Sequence, residues 1–296
     1  MISFSKFIAE QYLEEKLIMY NQGKRYGQIV FLAGGAGSGK GFAISNFMEK
    51  EKFKIRDVDE WKKAFQKLAD TTEKYPEIKG LKLKNPKDVY KLHMFVKKTG
   101  IKDKSLDLLL QDANARHLPN IMFDITMKDA NDIGDVLPKL LEAGYNSKNI
   151  HLTWVLTNYA VSIVNNRNRE RVVPEDIMLL SHEGAAKSMY DVVKGKLPRG
   201  LNGGVRVVLN NRDNTIPWID PDSKEVMKDH KSGAVLVKDF TYLTFKKEGK
   251  TIGPEADVKR QLLGWIADNV PKTKLTKDMM GTSDPDILDN MYPKKT

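Results

Sequence analysis

The sequence predicts an α/β fold in which a mostly parallel, five-stranded sheet carries helices on both faces. Two observations predict it. Short apolar, β-prone runs alternate with longer amphipathic stretches along the 296-residue chain, and a glycine cluster separates the first run from the helical stretch after it. Strands that alternate with helices are joined by right-handed crossovers, which make neighbouring strands parallel. Ligands bind beyond the carboxyl ends of such strands, so functional residues are expected directly after each strand.

The spacing of apolar residues defines the elements in chain order. Apolar positions between Phe4 and Ile18 recur at helical spacing and predict an amphipathic helix. Strands are predicted at residues 28–33, 53–56, 120–125, 149–156 and 205–209. Helices are predicted after the glycine cluster, through most of residues 60–117, at 129–143, at 159–171, from Pro174 onward and at 254–269. Residues 211–233 are rich in turn residues, and the runs at 234–239 and 242–246 predict a hairpin.

These elements divide the chain into three segments. Residues 1–27 form an N-terminal helix, and residues 28–210 form the core. Residues 60–117 are a helical insertion between the second and third strands of that core. Residues 211–296 form an extension of hairpin and helix that packs on the core.

Amino-acid composition limits the kinds of functional site that the chain can contain and the cell compartment in which it is expected. The chain has no cysteine, which excludes disulfides, thiol nucleophiles and cysteine-ligated metals. Its five histidines are scattered without an HExxH pattern, so a histidine-built metal site is not expected. The apolar runs are too short to span a bilayer, and the first residues lack the apolar stretch of a secretory signal. We therefore expect a cytoplasmic protein that does not bind a membrane. The net charge of +10 favours a polyanionic partner.

The glycine cluster after the first strand is the strongest motif. The sequence GGAGSGKGF contains the Walker A core, Gly34-x-x-x-x-Gly39-Lys40. Glycines let the backbone turn its amides inward around phosphate oxygens, and the helix that follows adds its positive end. The motif predicts a P-loop NTPase-type three-layer sandwich. The residues expected to bind the nucleotide are Gly34, Gly35, Ala36, Gly37, Ser38, Gly39, Lys40, Gly41 and Phe42.

One position departs from this motif. The residue after Lys40 is normally a serine or threonine whose hydroxyl binds Mg²⁺, and here it is Gly41. A carboxylate or water must then replace that hydroxyl.

Aspartates follow the second and third strands. Asp59 is a candidate catalytic base and Asp57 a candidate substrate ligand, because a kinase needs a carboxylate at this place to accept the proton of the attacking hydroxyl or to hold Mg²⁺. Capping of the next helix is the open alternative for both. Asp124 ends a Walker B-like strand and is the candidate Mg²⁺ ligand, and Thr126 is a candidate substrate ligand.

Three arginines follow the fourth strand. Arg167, Arg169 and Arg171 are candidate catalytic residues, because arginine forks stabilise the charge of a transferring phosphoryl group. A spacing of two cannot place all three on one helical face, so the third is expected in solvent or paired with Glu170 or Glu175.

The insertion is strongly basic. Residues 62–104 hold 13 lysines, no arginine and five acids, with Tyr75, Tyr90, His93 and Phe95 interleaved. Lysines can follow a phosphate backbone and aromatic rings can stack on bases, so the pattern favours a nucleic acid or another polyanion. A solvated helical surface is the open alternative.

The ordered set GGAGSGKG, RDVDEWK, FDITMKD and RNRERVVP resembles the zeta-toxin-like P-loop kinases, especially those of bacteriophages. The resemblance covers roughly residues 28–195. It implies ATP- or GTP-dependent phosphorylation of a hydroxyl, with Asp59 as general base and Lys40 on the phosphates. It also implies an acid-x-Thr element at Asp124 and Thr126, and a lid that carries the arginines.

The resemblance leaves the acceptor open. In toxins of this type the acceptor is a UDP-amino sugar, whereas related phage enzymes phosphorylate nucleic-acid ends, nucleotides or modified DNA bases. The lysine-rich insertion favours DNA, RNA or a nucleotide, in the host cytoplasm if a phage encodes the chain. Two alternatives are an NTPase that drives a partner and an NTP-binding, nucleic-acid-associated protein without kinase activity.

Overall fold

A single mixed sheet forms the centre of the molecule. The structure is a computed structural model that describes residues 26–48, 50–111, 118–228, 235–251 and 253–280. Within these ranges eight strands form a sheet in the order β2-β3-β1-β4-β5-β7-β6, with β8 paired to β7. The strands are β1 (Ile29–Ala33), β2 (Lys54–Asp57), β3 (Ile121–Ile125), β4 (Ile150–Leu156), β5 (Val205–Leu209), β6 (Thr215–Pro217), β7 (Val237–Lys247) and β8 (Lys250–Thr251). The first five are parallel, which confirms the predicted α/β class, and β6 to β8 add an antiparallel edge.

Helices connect the parallel strands and cover the sheet. They are α1 (Lys40–Phe47), α2 (Val58–Thr71), α3 (Pro86–Lys98), α4 (Ile101–Gln111), α5 (Asn131–Gly134), α6 (Leu137–Glu142), α7 (Tyr159–Asn168), α8 (Glu175–Val193), α9 (Glu255–Asn269) and α10 (Lys274–Met280). The helix predicted over residues 129–143 is thus two short helices. The N-terminal helix predicted within residues 1–27 lies outside the described residues, apart from its last two positions. No helix among the described residues is both long enough and apolar enough to cross a membrane.

The alternation of β1 side chains creates two cores. Ile29, Phe31 and Ala33 face one core, where α8 and α9 pack, and Val30 and Leu32 face the other, where α1 packs. All five residues are fully buried. Both faces of the sheet are therefore covered, as a parallel sheet requires, and the layers are helix, sheet and helix.

The hairpin predicted at residues 234–239 and 242–246 is wrong. Residues 237–247 are one continuous strand that pairs with β5. The true turn lies after it, at Glu248 and Gly249, whose φ angles are 51° and 77°. Two-residue hairpin turns need positive φ at one or both positions, which favours Gly, Asn or Asp, and residues 240–241 are Phe and Thr. The irregular segment predicted before this strand contains β6.

Candidate active site

The predicted phosphate loop lies between β1 and α1, where the central strand ends. Gly37 and Gly39 have φ angles of 77° and 86°, in the left-handed region that glycine adopts at low cost. A Cβ atom on Gly37 would lie 2.4 Å from the carbonyl oxygen of Ser162 in α7. Glycine is therefore required there both by backbone conformation and by the close approach of a helix.

Four side chains, each from a different helix or loop, hold the carbonyl groups of this loop. His182 Nε2 lies 2.8 Å from the Ala36 oxygen, and Asn165 donates to the Gly37 oxygen at 3.1 Å. The Ser38 oxygen accepts from Thr157 Oγ1 at 2.6 Å and from Asn210 Nδ2 at 3.0 Å. The partners are Thr157, Asn165, His182 and Asn210.

These hydrogen bonds fix which way the loop peptides point. With three carbonyls held by the protein, the amides of Lys40 and Gly41, which open helix α1 and have no intrahelical acceptor, remain for a ligand. Oriented amides and a helix N-terminus form an anion-binding concavity. The sequence motifs did not mark these supporting residues. Two of them, Thr157 and Asn210, directly follow β4 and β5, so the strand-end rule contains the signal for them.

A single cavity of about 1030 Å³ joins this loop to the predicted catalytic residues. It is lined by most of the predicted site, namely Gly35, Ala36, Gly37, Ser38, Gly39, Lys40, Gly41, Phe42, Asp57, Asp59, Asp124, Thr126, Arg169 and Arg171. A pocket for one drug-sized ligand measures roughly 300–1,000 Å³. The cavity is thus large enough for a nucleotide and a second reactant.

Lys40 and Asp124 mark the phosphate end of the cavity. Lys40 Nζ donates to the Gly34 carbonyl oxygen at 2.7 Å and lies 3.5 Å from Asp124 Oδ1. Burial raises the pKa of Asp124, against the lowering effect of Lys40. Gly34, the first of the predicted nucleotide-binding residues, does not line the cavity. Its carbonyl oxygen accepts the hydrogen bond from Lys40 instead.

The residues at this end fit a magnesium ion held chiefly by phosphate oxygens and water. Mg²⁺ in phosphoryl-transfer sites is bound by one or two carboxylates plus substrate phosphates. Asp124 supplies one largely buried carboxylate whose ion-pair partner is Lys40, whereas Gly41 supplies no side-chain oxygen. Among the described residues, no group of three or more His, Cys, Asp or Glu side chains is placed to hold a metal ion.

Asp57 both caps a helix and lines the cavity. Its Oδ1 accepts from the Asp59 amide at 2.7 Å, so the capping alternative describes its hydrogen bond. It pairs in register with Asp124 on β3. Burial, followed by the charges of Asp59 and Asp124, raises the pKa of Asp57 to about 6.

Asp59 lies one residue inside helix α2, between two cations. Lys62 Nζ is 2.8 Å from Oδ1, and Arg171 donates to Oδ2. Burial alone raises the pKa of Asp59, but Arg171, Lys62 and Lys40 outweigh burial and hold this pKa at about 2. Asp59 is therefore an ionised carboxylate, which is the state a proton acceptor needs.

The three predicted arginines do not all lie at the cavity, as expected from their spacing of two residues. Arg169 and Arg171 line the cavity, because α7 ends at Asn168 and both lie on the segment before α8. Arg167 is on the last turn of α7 and is not brought to the cavity. Its Nε donates instead to Glu175 at 2.9 Å, and its side chain is 58% exposed. The geometry gives no support to a catalytic role for Arg167, and its partner is one of the two glutamates anticipated from the sequence.

Helix α3 forms part of the wall of the same cavity. Tyr90, His93 and Met94 line the cavity there. Tyr75 and Phe95 do not, because they pack with Phe65 in the core of the insertion, with ring centroids 5.2–5.5 Å apart. The predicted interleaving of lysines and stacking rings therefore does not form a single surface, and of the four rings Tyr90 and His93 line the site.

The chain has a P-loop NTPase-type fold. No family model matches the chain, and no curated protein matches its sequence. Its similarity is to solved structures at low identity. A chain of the AvrRxo1-ORF1:AvrRxo1-ORF2 complex with sulphate ions matches with a TM-score of 0.50 at 12% identity, covering 94% of this chain and 82% of that one.

Two further structures match with lower TM-scores. One belongs to the PezAT chromosomal toxin–antitoxin system of Streptococcus pneumoniae, with a TM-score of 0.45 at 13% identity, covering 97% of this chain and 96% of that one. The other is deoxyadenosine kinase from M. mycoides with bound dATP, with a TM-score of 0.34 at 14% identity, covering 67% of this chain and 95% of that one.

Proposed function

We propose that the chain is a P-loop kinase that transfers the γ-phosphoryl group of ATP to a hydroxyl of a nucleotide or nucleic-acid acceptor. One observation carries the proposal: the glycine loop, Lys40 and the ionised Asp59 line one and the same cavity. Phosphoryl transfer needs little covalent chemistry from the protein, so positioning and charge stabilisation account for most of catalysis.

The loop residues bind the triphosphate. Amides at the start of α1 meet the phosphate oxygens, and Lys40, released from Asp124, bridges the terminal phosphates. Asp124 would hold Mg²⁺, which would supply charge neutralisation at the phosphates. Arg169 and Arg171 approach the transferring group from the segment before α8, where their fixed forks suit phosphate oxygens.

The acceptor lies between Asp59 and helix α3. Its hydroxyl oxygen forms the new bond to the γ-phosphorus while the bond to the leaving ADP breaks, and its proton passes to the Asp59 carboxylate. Asp57 and Thr126, which line the same cavity, are proposed acceptor ligands.

Two features support a nucleotide or nucleic-acid acceptor. The Tyr90 ring, 48% exposed on the cavity wall, offers a stacking surface for a base. Of the 13 lysines at residues 62–104, all except Lys62 are exposed and give the outside of the insertion a positive field. A UDP-amino sugar remains in the test panel because the resemblance implies it.

The test is incubation with ATP labelled on the γ-phosphate against DNA with plain and hydroxymethylated bases, RNA, nucleotides and UDP-sugars. We expect label on one of the nucleic acids or nucleotides. We expect Asp59→Asn to lose transfer by at least about a hundredfold while it still binds ATP, and Glu60→Gln, an exposed neighbour, to keep it. Label found only as free phosphate indicates an NTPase, and label that stays on ATP rejects a kinase.

A further inference from the structure

Lys62 is a buried cation that the steps above do not use. Its side chain is 8% exposed, on the first turns of α2, and it lines the cavity. A buried ammonium is costly unless it is paired. Among the described residues its ion-pair partner is Asp59, at 2.8 Å from Oδ1. The protein therefore buries a lysine against its candidate base.

The two carboxylate oxygens of Asp59 are paired with cations from two different parts of the chain. Lys62 holds Oδ1 from the same helix, three residues along, where side chains are neighbours by helix geometry. Arg171 holds Oδ2 from a segment 112 residues away in sequence. The two contacts are thus independent, and one can break without the other.

Arg171 has a second task in the proposed reaction. Arg171 lines the cavity and is proposed to meet the transferring phosphoryl group, a role that draws its guanidinium away from Asp59 Oδ2. The backbone beside it is anchored, because the Val172 amide donates to the Leu83 carbonyl oxygen at 3.0 Å. With that backbone held, rotation of the Arg171 side chain is the movement by which we expect Oδ2 to be freed.

We propose that Lys62 is a positioning residue for phosphoryl transfer, holding Asp59 through Oδ1 while Oδ2, vacated by Arg171, accepts the proton of the acceptor hydroxyl. This inference rests on the proposed function. Lys62 keeps the Asp59 carboxylate in position and balances its charge when Arg171 moves away. Misplacement of a reacting group by about 1 Å costs roughly a hundredfold in rate.

The test compares kcat and KM of wild type, Lys62→Gln and Lys62→Arg, with Lys63→Gln as matched control. Lys63 is the next residue of the same helix, and it pairs with the exposed Glu60. We expect Lys62→Gln to lower kcat about tenfold to a hundredfold with the KM for ATP and acceptor unchanged. We expect Lys62→Arg to recover part of this loss and Lys63→Gln to match wild type. If Lys62→Gln does not fold, Lys62→Met, which keeps the apolar stem, takes its place.

A double substitution shows whether Lys62 acts through Asp59. In an Asp59→Asn background, Lys62→Gln is expected to cause no further loss, because coupled residues are non-additive. The inference is overturned by unchanged kcat, by a loss confined to the acceptor KM, or by an equal further loss in the Asp59→Asn background. Wild-type protein that transfers no phosphate rejects the proposed function instead, so the two failures are distinguishable.

Discussion

Replacement of Gly37 by alanine tests the structure of the phosphate loop directly. A Cβ atom in the left-handed region costs roughly 1 kcal/mol, and a forced contact with a well-packed neighbour costs about 1–3 kcal/mol more. The contact here is the Ser162 backbone oxygen at 2.4 Å, which cannot swing aside as a flexible side chain does. The expected cost is therefore about 2–4 kcal/mol, which the protein pays in stability or by deforming the loop.

Gly41→Ala is the matched control, four residues along. Nothing lies within 4 Å of a Cβ at Gly41, which is in the first turn of α1. Alanine there is expected to be neutral or to stabilise by roughly 0.5–1 kcal/mol. Urea denaturation and titration with a fluorescent ATP analogue measure both variants. Gly37→Ala should lose about 2–4 kcal/mol of unfolding free energy or roughly 30-fold to several hundredfold in affinity. Equal behaviour of the two variants in both assays refutes the reasoning.

Three further predictions concern the arginines, the acceptor wall and pH. Arg171→Ala is expected to lower kcat about 10³-fold, whereas Arg167→Ala, which removes an exposed ion pair, should keep kcat within about twofold of wild type. Steady-state kinetics measure both variants. Equal losses of kcat contradict the placement of Arg167 outside the cavity. Tyr90→Ala is expected to raise the acceptor KM about tenfold by loss of stacking and to leave the KM for ATP unchanged, and the opposite pattern contradicts the acceptor wall. Burial lowers the pKa of His151 from 6.5 to about 3. Between about pH 6.5 and 3 the unfolded chain therefore binds a proton at His151 that the folded chain does not bind. The free energy of unfolding falls as the pH is lowered through this range. From pH 7 to 5 this loss is about 2 kcal/mol. Asp57, with its raised pKa, acts in the opposite sense, so the measurement is the difference in unfolding free energy between wild type and His151→Gln. The wild-type advantage should shrink by about 2 kcal/mol at pH 5, and a constant difference contradicts the burial of a neutral His151.

The parallel core could be predicted because its signals are local. Four of the five parallel strands, β1, β3, β4 and β5, are mostly apolar runs, and the glycine loop is a contiguous motif that its own residues reveal. The strand-end rule then placed Asp57, Asp59, Asp124 and Thr126 at one edge of the sheet, and all four line the cavity.

The remaining features depend on tertiary packing. Arg167 and Arg171 are equivalent as sequence, and only the end of α7 at Asn168 decides which of them reaches the cavity. Tyr75 and Tyr90 are both aromatic residues of a lysine-rich insertion, yet one packs inside it and the other lines the site. The strand over residues 237–247 continues through Phe240 because Phe240 pairs with Thr215 of β6 and the residues after it pair with β5, which local propensity does not reveal.

Equilibrium binding of ATP to the wild-type protein and to Lys40→Ala tests the central claim most directly. The glycine loop and Lys40 are the parts of the site on which every other role depends, and an exposed control, Lys63→Ala, has the same change of charge. We predict saturable binding to wild type and to Lys63→Ala, weakened at least about tenfold in Lys40→Ala by loss of a charge-assisted phosphate contact. Absence of binding to the wild-type protein, or equal affinity in all three proteins, contradicts the account.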